Sequence, residues 1–247
     1  MGTALHVVAL SGGKDSTAMA LRLAELEPRD YTYICTPTGD ELPEMFAHWR
    51  ALGERLGKPL VPVMGGTLSG LVEKQNALPN WRQRWCTRML KIEPYASWLM
   101  QQSKLHTEIV SYVGLRADEP DREGGDYKSV PGVAMDFPLR RWGWGLREVL
   151  RYLQDREQTI PERTDCARCF YQTLGQWWNL WKQHPEIYAD AEREEIRVGH
   201  TYRSPGRDSW PAALGDLRRE FEAGHTPSGA AVNMDLFGDM QCRVCRI

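Results

Sequence analysis

The stretch Ser11-Gly12-Gly13-Lys14-Asp15-Ser16 has the residue types of an anion site. Two glycines let backbone N–H groups approach a phosphate closely, and Lys14 adds a compact positive charge. The pattern is neither the Walker sequence nor G-x-G-x-x-G. Arg116, expected at the carboxyl end of a strand, carries the planar fork that holds phosphate or sulfate in bidentate fashion; its plain alternative is a surface ion pair with Asp118 or Glu119. Thiols form the second group. Cys166/Cys169 and Cys242/Cys245 are C-x-x-C pairs and Cys86 stands apart, so metal or redox chemistry is expected. The two pairs alone suit a structural Zn2+ in a tetrahedral site of four thiolates, which would leave Cys86 an ordinary buried thiol.

Strands and helices must position these groups. The apolar run Leu5 to Leu10 predicts a buried strand leading into the glycine loop, and Thr17 to Leu26 predicts a helix after it. A strand, a glycine turn and a helix N-terminus together favour negative charge. Further strands are expected at Tyr31 to Cys35, Leu60 to Val63, Glu108 to Val113 and Val133 to Leu139, with Pro62 arguing for an edge position. Helical spacing over 43–57 puts Met45, Phe46, Trp49, Leu52 and Leu56 on one side, and a helix is expected near 92–102. Residues 121–132 read as a polar loop. The alternation predicts an α/β fold: an open, mostly parallel five-stranded sheet with helices on both faces. Beyond Trp144 the pattern turns helical, at 146–154, 169–182, 185–199 and 212–223. We therefore expect a nucleotide-binding α/β domain over 1–144 and a helical C-terminal region with the C-x-x-C pairs over 145–247.

The 247 residues hold 31 Lys and Arg against 33 Asp and Glu, so no global field marks a nucleic-acid binder. Arginines at 82–88 and 140–151 leave room for a local patch facing a phosphate-bearing partner. No apolar run is long enough to cross a bilayer and no signal-like segment is found, which predicts a cytoplasmic protein with no membrane partner. The tryptophan-rich stretch Gln176 to Trp181 reads as packing between helices. The histidines show no ligand spacing.

The first loop resembles the S-G-G-x-D-S pyrophosphate loop of the PP-loop ATP pyrophosphatases, or adenine nucleotide alpha hydrolases. Downstream, Thr38-Gly39-Asp40-Glu41-Leu42-Pro43-Glu44, the run from Cys86 through Lys91 to Pro94, Gly114-Leu115-Arg116-Ala117-Asp118-Glu119 and Pro138-Leu139-Arg140-Arg141-Trp142 follow in an order similar to the phosphoadenosine-phosphosulfate (PAPS) reductase branch of that family. The resemblance implies that Thr38 and Gly39 lie near the nucleotide and that Lys91 faces an anionic substrate. It implies a [4Fe–4S] cluster on Cys86, Cys166 and Cys169, with Cys242 or Cys245 as fourth ligand where the family has a second cysteine beside the first.

The intact S-G-G-K-D-S form resembles members that cleave ATP between its α- and β-phosphates. This implies an ATP pyrophosphatase acting in sulfur transfer, with Ser11 to Ser16, Thr38, Gly39 and Arg116 on the nucleotide, Lys14, Asp15, Lys91 and Arg116 in the chemistry, and Mg2+ beside Asp15. Its partners would be an adenine nucleotide, a sulfur acceptor that includes nucleic acid among its candidates, and a sulfur or electron donor protein; a homodimer is compatible. Two other readings stand beside it. One is an adenylyl-sulfate or PAPS reductase releasing sulfite, although the family's E-C-G-x-H tail is absent. The other is a zinc-stabilised nucleic-acid-binding module.

Overall fold

A computed structural model of the chain describes residues 4–125, 127 and 129–230. Five strands, β1 (Leu5–Ala9), β2 (Tyr31–Cys35), β3 (Val61–Pro62), β4 (Ile109–Tyr112) and β5 (Val133–Asp136), form one sheet in the order β3-β2-β1-β4-β5. Every pairing is parallel, with Val8 opposite Tyr33 on one side and Tyr112 on the other. The sheet is therefore the expected α/β type, and β3 with its proline lies at the edge, where a missing N–H costs no ladder bond. From β1 the chain runs outward to β2 and β3, then crosses to β4 and β5. That reversal opens a crevice at the carboxyl ends of β1 and β4, the usual ligand position in open parallel sheets.

Alternation within the strands sends side chains to both faces. Val8, Tyr31, Tyr33 and Tyr112 pack with α1 (Lys14–Leu26), Leu52 of α2 (Pro43–Arg55) and Val149, Tyr152 and Leu153 of α7 (Leu146–Gln154). Val7, Ile34 and Ile109 pack on the opposite face with Tyr95 and Leu99 of α5 (Glu93–Gln102). A third core contains no strand residue. It joins Leu68, Leu71 and Val72 of α3 (Leu68–Gln75) to Trp177 and Leu180 of α8 (Leu174–Gln183), Tyr188 and Ala191 of α9 (Pro185–Val198) and Leu217 and Phe221 of α10 (Leu214–Glu222). Trp177 is fully buried and meets Tyr188 edge-on, so the tryptophan stripe is packing, as expected.

The structure departs from the sequence expectations where tertiary contacts intervene. α1 begins at Lys14, three residues before Thr17, because Gly13 already takes the extended N-cap conformation. Phe46 is exposed, and His48 occupies the buried side of α2 in its place. β5 stops at Asp136; Pro138 starts the short helix α6 (Pro138–Arg141), where its fixed φ suits the first turn. The 121–132 loop sends Tyr127 and Val130 into the core with α5. Between α4 (Trp85–Thr87) and α5, residues Arg88–Ile92 wind as a π-helix, an irregularity that clusters at functional sites. Helix α8 starts at Leu174, not Cys169: Thr173 and Gln176 form a capping box, which leaves 166–173 as a turn.

Two contacts generate predictions. A Cβ on Gly114, just past β4, would lie 3.1 Å from Ser16 N and 3.2 Å from the Asp15 carbonyl carbon. Gly114→Ala should therefore push β4 from the start of α1 and destabilise the protein by about 1–3 kcal/mol in urea titration. Glu195 accepts from Leu214 N at 2.7 Å and from Tyr202 N at 2.8 Å, holding α10 against α9. Burial pushes its carboxyl up to about 7 from an ordinary 4.5, against the pull of those two N–H groups. The folded protein then keeps a proton that the unfolded chain has lost, so stability is full below pH 4.5 and falls as pH rises to 7. The loss should be about 3 kcal/mol across that window, and Glu195→Gln should flatten the profile.

Candidate active site at the carboxyl ends of the strands

The glycine loop is held from behind by α2. Trp49 Nε1 donates to Ser11 O at 2.9 Å, and His48 Nε2 lies 2.9 Å from Gly12 O. A carbonyl only accepts, so His48 carries its proton on Nε2; burial lowers its pKa and keeps the ring neutral. Gly12 has φ +87°, and a Cβ there would meet Trp49 Nε1 at 2.7 Å, so the position requires glycine. Within the loop, Ser16 Oγ donates to Gly13 O at 3.1 Å and pairs with Ser11 Oγ at 3.0 Å, while Gly13 N donates to Ser11 Oγ at 3.3 Å. With carbonyls drawn inward and no side chain capping α1 among the described residues, the first turn of that helix can receive an anion. Lys14 and Ser16 are both buried here.

Arg116, at the end of β4, is buried among three carboxylates. Its Nη1 reaches Asp15 Oδ2 at 3.0 Å, its Nε reaches Asp118 Oδ1 at 2.8 Å and its Nη2 reaches Glu119 Oε1 at 3.2 Å. The sequence reading of a surface ion pair names two of these partners, but the group is 5% exposed and Asp15 comes from the far side of the crevice. Arg140 holds this loop in shape, donating from Nε to Arg116 O at 3.3 Å and from Nη2 to Glu119 O at 2.7 Å. Burial pushes the Asp15 carboxyl up against the opposing pull of Lys14 and Arg116. Asp15 Oδ1 is buried and has no hydrogen-bond partner among the described residues.

The loop after β2 forms the third wall. Glu41 Oε1 accepts from both the backbone N and the Oγ1 of Thr38 at 2.6 Å, curling the segment so that Thr38 is buried while Gly39 is exposed. Asp40 accepts from Ser69 N at 3.0 Å and from Ser69 Oγ at 2.8 Å, and its carbonyl receives Ala167 N at 2.7 Å. Glu41 and Cys166 make an antiparallel bridge. The C-x-x-C turn is thus fastened to the loop after β2.

Thr38, Cys86, Lys91, Cys166 and Cys169 line one cavity, so the fold gathers these expected site residues. Cys166 and Cys169 interact thiol to thiol: that contact pulls Cys166 down, and it raises Cys169, with burial adding to the rise. Burial pushes Cys86 up. Cys35 stays in the core of β2, its thiol pushed up to about 11 by burial. Among the described residues no group of three or more His, Cys, Asp or Glu is gathered closely enough to hold a metal ion. The expected ligand set of Cys86, Cys166 and Cys169 is thus a shared cavity wall here, with two thiols turned to each other. Cys242 and Cys245 lie outside the described residues.

The sequence reading missed His48 and Arg168. It placed Asp40 and Arg140 in motifs and Trp49 on a helix face without a partner for any of them, because which groups they hold depends on contacts between distant segments. No helix among the described residues is long and apolar enough to cross a membrane.

Three comparisons bear on this geometry. The phosphoadenosine phosphosulfate reductase domain matches residues 5–177. A protein of Methanocaldococcus jannaschii, described as uncharacterized, is 26% identical over 221 residues, covering 83% of this chain and 45% of that protein; the chain thus spans under half the relative's length. Among solved structures, the Candida auris phosphoadenylyl-sulfate (PAPS) reductase in a phosphate complex has a TM-score of 0.48 at 14% identity, over 65% of this chain and 76% of the other. The U34-tRNA thiolase NcsA of Methanococcus maripaludis, with its [4Fe–4S] cluster, has a TM-score of 0.48 at 18% identity, over 100% of this chain and 82% of the other. With the family model matching most of the chain and the glycine loop seated at the end of its first strand, the chain belongs to the phosphoadenosine phosphosulfate reductase domain family.

Proposed function

We propose that this chain binds ATP, cleaves it between the α- and β-phosphates to AMP and pyrophosphate, and so activates an acceptor for sulfur transfer. The observation that carries the reading is the complete Ser11–Ser16 loop at an uncapped helix start, with its carbonyls tied back by His48 and Trp49. In this mechanism the loop N–H groups and Lys14 cradle the departing pyrophosphate. A nucleophilic oxygen of the acceptor attacks the α-phosphorus, the bond to the bridging oxygen breaks, and pyrophosphate leaves with its electron pair. A sulfur nucleophile from a donor protein then displaces AMP from the adenylated acceptor.

Asp15 is the residue that would hold Mg2+, since Oδ1 is an orphaned acceptor beside the loop; the ion would neutralise charge on the phosphates. Arg116, enclosed by carboxylates, acts in this reading by orienting Asp15. Lys91, on the π-helix and in the cysteine cavity, faces the acceptor side. Thiolates are the ligands an iron–sulfur cluster takes, and Cys86, Cys166 and Cys169 would supply three of them with the fourth from Cys242 or Cys245; here the three border one cavity without being gathered into a metal-holding group. Such a cluster would supply an iron site for sulfur or electrons. The matched family model favours a second reading, reduction of adenylyl sulfate or PAPS to sulfite.

Incubation with α-labelled ATP and candidate acceptors should yield AMP, and Lys14→Ala should lower that rate by about 10²–10³-fold. ADP as product overturns the first reading; sulfite released from adenylyl sulfate or PAPS with a thiol reductant establishes the second. Anaerobically purified protein should be brown with about four irons per chain, and Cys86→Ser should deplete them. One zinc, retained in Cys86→Ser, would instead assign the metal to the two C-x-x-C pairs.

A further inference from the structure

Arg168 sits between the two cysteines of Cys166-Ala167-Arg168-Cys169 and is 8% exposed. Its side chain is turned inward. Its guanidinium pairs with Asp40 and reaches Ser69 Oγ, and Nη1 lies 3.3 Å from Glu194 Oε2 on α9. Glu194 in turn accepts from the Tyr202 hydroxyl. Asp40 neighbours Thr38 and Gly39, and its own carbonyl receives Ala167 N at 2.7 Å. Two of the turn's carbonyls are also taken: Arg163 donates to Cys166 O at 2.6 Å and to Ala167 O at 3.2 Å. One side chain therefore links the loop after β2, the start of α3, the cysteine turn and α9.

The pair is a joint that favours the closed arrangement, because a buried guanidinium left without its carboxylate is expensive. Arg168 and Thr38 also line the cavity that holds Cys86, Cys166 and Cys169. We propose that Arg168 is a positioning residue: through Asp40 it fixes the cysteine turn to the loop after β2, so that nucleotide at that loop and the accessibility of Cys166 and Cys169 are linked. The nucleotide half of this linkage rests on the ATP-binding reading above; the positioning half does not.

The test is alkylation of the full-length, anaerobically purified protein by iodoacetamide, read peptide by peptide with Cys35 as internal reference. Arg168→Gln should raise the rates at Cys166 and Cys169 about tenfold while Cys35 is unchanged, because loss of the pair lowers the cost of local opening. Arg168→Lys, which keeps the charge, should recover part of the protection. ATP should slow alkylation of the wild type and leave Arg168→Gln unaffected, a response that a merely structural residue would not abolish. Rates in Arg168→Gln within twofold of wild type overturn the proposal. Should Cys35 react faster as well, the variant has unfolded, and the double variant Asp40→Asn/Arg168→Gln, which removes both buried charges, decides by the same rates. Failure of wild type to bind ATP in a fluorescence titration overturns the nucleotide reading alone; the variant rates without ATP still judge the joint.

Discussion

The candidate site depends on two backbone approaches that leave no room for a side chain. Gly12 lies under the Trp49 indole, and Gly114 lies against the peptide joining Asp15 and Ser16. The start of α1 is thereby pinched between α2 on one side and the end of β4 on the other. Neither wall could close to this distance over a methyl group, because interiors near native density yield only by tenths of an ångström. The direction of the α1 first-turn N–H groups is thus set by packing, before any ligand arrives. That is pre-organisation in the useful sense, since little ordering remains to be done on binding.

Charge burial in the crevice follows from the same closeness. Asp15 is carried inward on the first turn of α1, and a carboxylate there would be costly without Arg116 3.0 Å away. Arg116 in turn brings Asp118 and Glu119 with it, and Asp118 Oδ2 accepts from Leu146 N at 2.9 Å at the start of α7. The arginine therefore answers to the sheet's own architecture first. Three of its five N–H groups are committed to those carboxylates, which leaves one on each Nη for any further anion. Lys14 has a different standing, being a flexible point charge on the loop itself. On the proposed reading the arginine positions Asp15 and the lysine meets the phosphates.

What the sequence made legible was local. Tyr31 to Cys35 runs as a strand over its full expected length, since β-branched and aromatic residues there meet helices on both faces. Pro43 and Pro185 mark helix starts because each lacks the N–H that a first turn leaves unused. The glycine loop, Arg116 and the cysteines stand out by type and spacing, and Thr38 and Lys91 by the family resemblance. Illegible were the pairings that turn those residues into a site. Helical phase alone could not choose between Phe46 and His48, because the choice was made by a carbonyl of the glycine loop. Residues 169–173 looked helical on their own, and the capping box at Thr173 decided otherwise. Nothing in the sequence pointed to Arg168, since its partners come from 40, 69 and 194.

The third core, which takes nothing from the strands, explains why the loop after β2 matters beyond its own residues. α8, α9 and α10 are placed relative to the sheet through α3 and through Asp40 and Glu41, rather than by lying on a strand. A rigid body attached at a loop end moves as that loop moves. On the proposed reading, an activated acceptor must meet sulfur before water reaches it, so thiols and nucleotide have to share one enclosed space. Thr38 and the three thiols border one cavity, and of these thiols Cys166 is the one whose neighbour lowers its pKa. On the same reading, fastening Cys166 and Ala167 to Glu41 and Asp40 holds the cysteine turn beside the loop that would meet the nucleotide. Attachment at this point, and not across the sheet face, would let one segment answer to both chemistries.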